Sequence, residues 1–446
     1  MTKQVNERSL CLDVVMEVAE KGSYIHHVLR NVLDEYSYLD KKQRSFIARV
    51  SEGTIEYLIQ LDAVLNRFSK TKTDKMKPFI RNLLRISVYQ LLYMDGVPDH
   101  AVCSEAVKLA AKRGFAGLKG FVNGVLRTVS REKDTLTFNS LSEKYSMPEW
   151  IVELWMKRYG EAVTEKMLQA MLQTRRLYIR CNVSKVSAAE LEKHLREEHV
   201  TVERAPYVPA AFAIRDFDML YALESFRGGE FAVQDVSSML VSLAASPVPG
   251  DYVLDVCAAP GGKALHMADL LRGTGHVEAR DLTEDKAELI EENLERCGFE
   301  NMTVRVWDAT QPDGKMTGQA DIVIADVPCS GLGVIGKKPD IKYHVTEEQI
   351  KQLQKLQRKI LDTVYTYVKP GGTLIYSTCT ISELENEQNV RYLVENYPFE
   401  LISLEDCEGF SMEADTLKDG YVQLLPGVHE TDGFFIARLR RKEQNE

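Results

Sequence analysis

The 446-residue chain predicts a multidomain protein with an all-α N-terminal part, a small α+β adaptor and a C-terminal α/β part built on a doubly wound, Rossmann-like sheet. Three observations carry this. Apolar residues recur at helical spacing through residues 5–130, for example in Ile80, Leu83, Leu84, Ile86, Val88, Tyr89, Leu91 and Leu92. Short apolar runs separated by helical stretches fill the chain from about Glu224 onward, the pattern of a parallel sheet covered on both faces. Between them lies a mixed segment with too few strands for a whole doubly wound sheet. The expected boundaries are 1–140, 141–223 and 224–446.

Taken in order, the helical part is punctuated at Gly96-Val97-Pro98 and Gly114, and residues 131–145 are polar enough to read as a linker. Met147–Tyr159 and Ala162–Leu172 are helix-like, Leu177–Cys181 strand-like and Ala188–Leu195 a charged helix. Thr201–Glu203 and Ala211–Ile214 are further strand candidates. In the last part, strands are expected at Tyr252–Val256, His276–Arg280, Val304–Trp307, Ile322–Ala325, Thr373–Tyr376 and Phe434–Ala437.

Bulk composition restricts the function classes. The polar start of the chain and the lack of a long apolar run argue against a signal peptide or membrane span. Eight scattered cysteines, with no C-x-x-C pair, point away from a disulfide framework or zinc site and towards a reducing cytoplasm. The net charge of −10 is unevenly distributed. Residues 1–140 hold 22 Lys+Arg against 16 Asp+Glu, and the remainder 34 against 50. A basic first part on an acidic remainder suggests that the first part meets a polyanion.

The most informative stretch is Tyr252–Lys263, Y-V-L-D-V-C-A-A-P-G-G-K: a strand, a turn of small residues and then the helix-like Ala264–Leu271. Such a turn is where open α/β sheets bind cofactors, because backbone N–H groups converge and side chains are out of the way. Asp281 follows Gly261 by 20 residues at the end of a second strand, where a carboxylate takes ribose hydroxyls. The turn lacks G-x-G-x-x-G and is not a P-loop, since Cys257 replaces the first glycine and Ala264 follows Lys263. A ribose acid without a phosphate cradle suits a nucleoside without phosphates, of which S-adenosyl-L-methionine is the commonest.

Two later strand ends carry reactive groups: Asp326-Val327-Pro328-Cys329-Ser330-Gly331-Leu332-Gly333 and Ser377-Thr378-Cys379-Thr380. Strand ends near the switch point share one crevice, so Cys329 and Cys379 are expected close together beside the cofactor. That pair fits methylation of a pyrimidine at C5. A thiolate added at C6 makes C5 an enamine-like nucleophile, an acid holds the base, and a further group helps remove the C5 proton and release the product. Chemistry alone leaves open which cysteine attacks.

C-A-A-P-G-G-K, D-V-P-C-S-G-L-G and S-T-C-T, followed by Glu385-Asn386-Glu387, resemble the RNA cytosine-C5 methyltransferases of the Nop2/Sun/Fmu family. Val102–Ala110 and Gly120–Arg127 resemble the RNA-binding antitermination factor NusB. The resemblance covers essentially the whole chain and is weakest in the adaptor, which it implies to be RRM-like. It implies a class I S-adenosylmethionine-dependent catalytic domain acting on 16S ribosomal RNA, with no metal and no obligate protein partner. Cys257, Ala258, Ala259, Pro260, Gly261, Gly262 and Lys263 would lie against the cofactor, with Asp281 on the ribose and Asp308 beside the adenosine. Asp326 would lie between cofactor and base. The resemblance assigns Cys379 as nucleophile and Cys329 to proton removal and product release, although DNA cytosine methyltransferases use the Pro-Cys cysteine. Val327, where many relatives have alanine, is a mild departure. Lys108, Lys112, Arg113, Lys119 and Arg127 are candidate phosphate contacts in the helical part, and Lys337 and Lys338 in the loop after Cys329. The rivals are a DNA cytosine methyltransferase, a methyltransferase for another RNA nucleotide, and an RNA-binding factor with an idle catalytic part.

Overall fold

The computed structural model describes residues 5–173 and 176–443. They fall into two compact units, one holding the chain through Gln173 together with Ile335–His344, the other the remaining residues.

The first unit is helical. Its main helices are Glu7–Lys21, Ile25–Glu35, Lys41–Glu56, Leu58–Phe68, Pro78–Tyr93, Asp99–Lys112, Lys119–Glu132 and Glu149–Met171, the last broken in two at Gly160, as expected from the sequence. Proline at the first turn of Pro78–Tyr93 costs no hydrogen bond there. This helix is buried almost all round, including Asn82, Arg85, Ser87 and Gln90. Its interior charge is satisfied: Arg85 makes two hydrogen bonds to Asp62, at 2.8 and 2.6 Å, and a third to Asn82. The polar stretch 131–145, expected to be a linker, is instead packed. Leu141–Tyr145 is a short helix, the Gln60 side chain donates to Lys144 O, and the buried Ser146 hydroxyl accepts from Ile59 N. Its polar side chains serve as caps, which composition alone does not separate from solvation.

The second unit contains two sheets. In the smaller, β1 (Leu177–Cys181), β2 (Thr201–Arg204), β3 (Ala211–Arg215) and β4 (Phe231–Val233) run antiparallel in the order β2-β3-β1-β4. Leu191 and Leu195 of the helix Ala188–Glu197 cover Ile179, Phe212 and Phe231. The fourth strand comes from beyond residue 223. A fully buried ion pair, Arg180 Nη1 to Asp269 Oδ2 at 2.8 Å, ties β1 to the helix after the glycine turn. Asp269 also accepts from the N–H groups of Val183 and Ser184.

The larger sheet has eight strands: β5 (Tyr252–Asp255), β6 (His276–Asp281), β7 (Met302–Val306), β8 (Ala320–Asp326), β9 (Val368–Thr378), β10 (Phe399–Leu401), β11 (Tyr421–Leu424) and β12 (Phe434–Arg441). Their order is β10-β12-β9-β8-β5-β6-β7, with β11 also paired to β12. Strands β5 to β9 are parallel and β12 is antiparallel to β9. Successive side chains alternate between faces. Val253, Ile324, Ile375 and Ile436 meet the helices Val236–Ala245 and Gly262–Leu270 on one side. Leu254, Ala325, Tyr376 and Ala437 meet Glu347–Val364 on the other. The order reverses between β5 and β8, which fixes where a ligand crevice opens.

Candidate active site

The carboxyl end of β5 runs into the glycine turn. Gly261 has φ +102°, a left-handed conformation that side chains disfavour, and closes a tight turn from its N–H to Ala258 O at 2.7 Å. The helix Gly262–Leu270 begins directly after it, so unpaired N–H groups face the sheet edge. Asp281, at the end of β6, holds the turn: one carboxylate oxygen accepts from Ala259 N at 2.9 Å. The other accepts from Leu282 N at 2.7 Å and Lys286 Nζ at 2.9 Å. A carboxylate offers about four acceptor sites, so Asp281 shapes the turn and keeps acceptor capacity. Asp308, just past β7, accepts from Thr310 N and Oγ1, both at 2.8 Å, and the backbone N–H of Thr310 leads in holding its carboxyl below the usual range.

Asp326 ends β8. Its carboxylate accepts from Lys263 Nζ at 2.6 Å and from the Ser377 hydroxyl, on β9, at 2.7 Å. Burial pulls the Lys263 ammonium down, but the charge and hydrogen bond of Asp326 outweigh it and raise its pKa overall. Asp255 is fully buried, with Oδ1 accepting from Cys257 N at 3.3 Å and Oδ2 without a partner. Burial lifts its pKa to about 7 despite the nearby Lys263 charge.

The two predicted cysteines meet. Cys329 Sγ and Cys379 Sγ are 3.3 Å apart, across fifty residues of chain. Cys257, Cys329 and Cys379 are half-buried, whereas the other five cysteines are buried. The hydrogen bond with Cys379 and then burial push the pKa of the Cys329 thiol well up.

What fixes the two cysteine loops is a set of buried polar residues to which the sequence reading gave no role. Glu385, fully buried, accepts from Ser330 N at 2.8 Å, Ser330 Oγ at 2.5 Å and Gln357 Nε2 at 3.0 Å. Ser330 Oγ also lies 2.6 Å from Thr380 Oγ1. One carboxylate thereby ties the residue after Cys329 to the residue after Cys379. Gln357 also donates to Pro328 O, and Asn386 spans Thr378 Oγ1 and Thr380 O. Behind them Gly333 donates to Cys379 O and accepts from Gly433 N, and a Cβ on Gly333 would lie 1.9 Å from Gly433 O. No side chain fits there. The sequence signal for this set was the phrase Glu385-Asn386-Glu387, a polar run soon after the strand end that carries Cys379.

The remaining candidates belong to the helical unit. Lys108, Lys112 and Arg113 end one helix, and Lys119 and Arg127 lie on the helix packed against it, all exposed. Lys108 pairs with Glu105 and Arg113 with Asp13, at 2.8 and 2.7 Å, so a phosphate at either competes with a carboxylate. Lys337 and Lys338 are part of Ile335–His344. Among the described residues there is no group of side chains arranged to hold a metal ion and no helix long and apolar enough to cross a membrane.

A parallel sheet with this switch point, the glycine turn and the strand-end carboxylates define a Rossmann-like S-adenosylmethionine-dependent methyltransferase fold, preceded by a NusB-like helical domain and a small domain. Comparison with known proteins agrees. Residues 242–440 match the family described as 16S rRNA methyltransferase RsmB/F, residues 5–131 the NusB family and residues 147–217 the ferredoxin-like domain of RsmF/B-like methyltransferases. The chain is 34% identical to the probable ribosomal RNA small subunit methyltransferase B of Bacillus subtilis, over 99% of this chain and all of that protein. It is 31% identical to ribosomal RNA small subunit methyltransferase B of Escherichia coli, again over 99% and 100%. Among solved structures, PH0851 superposes with a TM-score of 0.81 at 25% identity, covering 99% of both chains. A methyltransferase homologue from Pyrococcus horikoshii gives 0.59 at 30% identity, covering 68% of this chain and 97% of that one.

The chain belongs to the ribosomal RNA small subunit methyltransferase B family. Membership makes it an S-adenosylmethionine-dependent rRNA methyltransferase.

Proposed function

We propose that the protein methylates C5 of a cytosine in 16S ribosomal RNA through a covalent adduct between Cys379 and C6 of the base. The observation that carries this is the approach of Cys329 and Cys379 to 3.3 Å beside the Asp326–Lys263 pair. A purine or a ribose hydroxyl needs no thiol adduct, and a site for those would have no use for two thiols at neighbouring strand ends. The residues around the turn suit the methyl donor: Asp281, Asp308 and Asp326 stand at or just beyond the ends of β6, β7 and β8, acceptors for hydroxyl and amine groups and counter-charges for a cation. The buried, unpartnered Asp255 Oδ2 adds a further acceptor behind the turn. S-adenosylmethionine, when bound, supplies an electrophilic methyl group on a sulfonium.

The protein's own residues do the rest. Asp326 holds the base at its N3–N4 edge and is itself held by Ser377 and Lys263. The Cys379 thiolate bonds to C6, and the C5–C6 double-bond electrons become available at C5 to take the methyl group. Cys329 assists removal of the C5 proton. The C5–H electrons then re-form the double bond as the C6–S bond breaks and the Cys379 thiolate leaves. Lys263, with its raised pKa, stays cationic and pairs with Asp326 beside the base.

A trapping experiment tests the assignment. Wild type, Cys329→Ala and Cys379→Ala are each incubated with rRNA and S-adenosylmethionine and run on a denaturing gel. Cys329→Ala is expected to accumulate protein joined to RNA and Cys379→Ala to form none. An adduct seen only with Cys379→Ala would exchange the roles. Neither adduct nor methyl transfer by wild type on rRNA would defeat the reading.

A further inference from the structure

Ile335–His344 leaves the cysteine-bearing loop and belongs to the helical unit, where buried polar contacts fix it. Asp340, 1% exposed, accepts from Ile25 N at 2.9 Å, at the start of the helix Ile25–Glu35. Lys342, 2% exposed, donates to Glu56 O at 2.7 Å, and the Tyr343 hydroxyl donates to Ile55 O at 2.9 Å, at the end of Lys41–Glu56. The aspartate meets a helix start, and the lysine and tyrosine donate to the last carbonyls of a helix end.

That anchoring has a consequence at the surface. It sets His344 against Tyr24, with ring centroids 4.7 Å apart, and Tyr24 lies 5.9 Å from His26, which lies 4.0 Å from His27. Tyr24 is 47% exposed, and His26 and His27 are exposed. Burial, then the His27 and Lys338 charges, lower the pKa of His26, which favours its neutral ring. Lys337 and Lys338 are exposed on the same segment. Four rings gathered at a surface with basic side chains beside them present flat π faces for bases and cations for phosphates.

We propose that Tyr24, His26, His27 and His344, with Lys337 and Lys338, form a contact surface for single-stranded RNA flanking the target. Bases stack on the rings and phosphates meet the two lysines. The inference rests on the reading of the chain as an RNA methyltransferase. It gives the segment a use: only eight residues of chain lie between Cys329 and Lys338, so a strand gripped here is gripped by the continuation of the catalytic loop. A duplex, whose bases are already stacked, has nothing to offer the rings.

The test measures binding of the full-length protein to a fluorescein-labelled unstructured 12-nucleotide RNA, and to the same RNA as a duplex, by fluorescence anisotropy. Tyr24→Ala is expected to weaken single-strand binding about fivefold or more, the scale of one lost stacked base. Tyr24→Phe keeps it within about twofold, and neither changes duplex binding beyond that. His344→Ala, which alters the other partner of the ring pair, should show the same selective loss. The double variant Lys337→Ala, Lys338→Ala should flatten the slope of log K against log salt by about 1.4. Unchanged single-strand binding in both ring variants overturns the proposal, as does an equal loss on duplex. Methyl transfer is assayed on the same preparations. Wild type that shows Tyr24-dependent binding but no transfer sinks the catalytic reading alone; wild type that transfers while the ring variants bind normally sinks this one alone.

Discussion

Glu385 receives both the backbone N–H and the hydroxyl of Ser330, at 2.8 and 2.5 Å. Ser330 follows Cys329 directly, and its hydroxyl reaches Thr380, which follows Cys379. The distance between the two sulfurs is thus set by a carboxylate that touches neither. Glu385→Ala leaves a buried N–H and hydroxyl unsatisfied, at a cost of about 1–3 kcal/mol each. Methyl transfer should fall about 10- to 100-fold while the affinity for S-adenosylmethionine, measured by calorimetry, stays within about threefold. A parallel loss of cofactor affinity would show that Glu385 supports the whole crevice.

The pair of Lys263 and Asp326 should behave as one unit. Either Lys263→Met or Asp326→Asn removes a charge whose partner stays largely enclosed. A double-mutant cycle on kcat/KM is expected to give a coupling of about 1–3 kcal/mol. Additive losses would mean that the two residues act on different steps.

Asp255 makes stability depend on pH. Its folded pKa of about 7 lies above the ordinary carboxylate value of 3.8, so between these values the native state holds more protons than the unfolded one. Stability from this group is fully present below about pH 4 and is lost as pH rises through 7. Asp255→Asn escapes that loss. Its stability relative to wild type should increase from pH 5 to about pH 7 and level off by pH 8, by at most about 3 kcal/mol in all. A difference that stays flat over this range would refute the assignment.

Proximity of Cys329 and Cys379 exposes the site to oxidation. A dithiol oxidant such as diamide takes two electrons and two protons, and a 3.3 Å approach needs only a small shift to the bonded distance of about 2.05 Å. Diamide should abolish methyl transfer, remove two titratable thiols and be reversed by dithiothreitol. Cys329→Ala should lose neither thiols at this site nor adduct formation under the same treatment.

Much of the site was legible because strand ends in an open sheet share an edge. That rule joins Cys329 to Cys379 and Asp281 to the glycine turn without knowledge of a single distance. The Glu385–Ser330 contact follows no such rule, since it links loops 55 residues apart through an acid whose burial the order of residues does not reveal. The same blindness affected residues 131–145, where caps looked like a linker. It also affected Gly336–Asp340, where a polar run with two lysines reads as a loop, although Asp340 is buried and bonded to a helix start. Polarity along the chain does not distinguish a side chain that faces water from one that replaces it.

The placement of Ile335–His344 also governs the order in which the protein can be completed during synthesis. The first unit leaves the ribosome first, yet the N–H of Ile25 and the carbonyls of Ile55 and Glu56 receive their partners only after residues 174–334 have been translated. By then the residues of β5 to β8 have been translated as well. The usual sequence, in which an N-terminal domain is completed before its successor is made, leaves these three contacts to be added late. Its helical unit is the first begun and cannot be finished until half of the larger sheet is in hand.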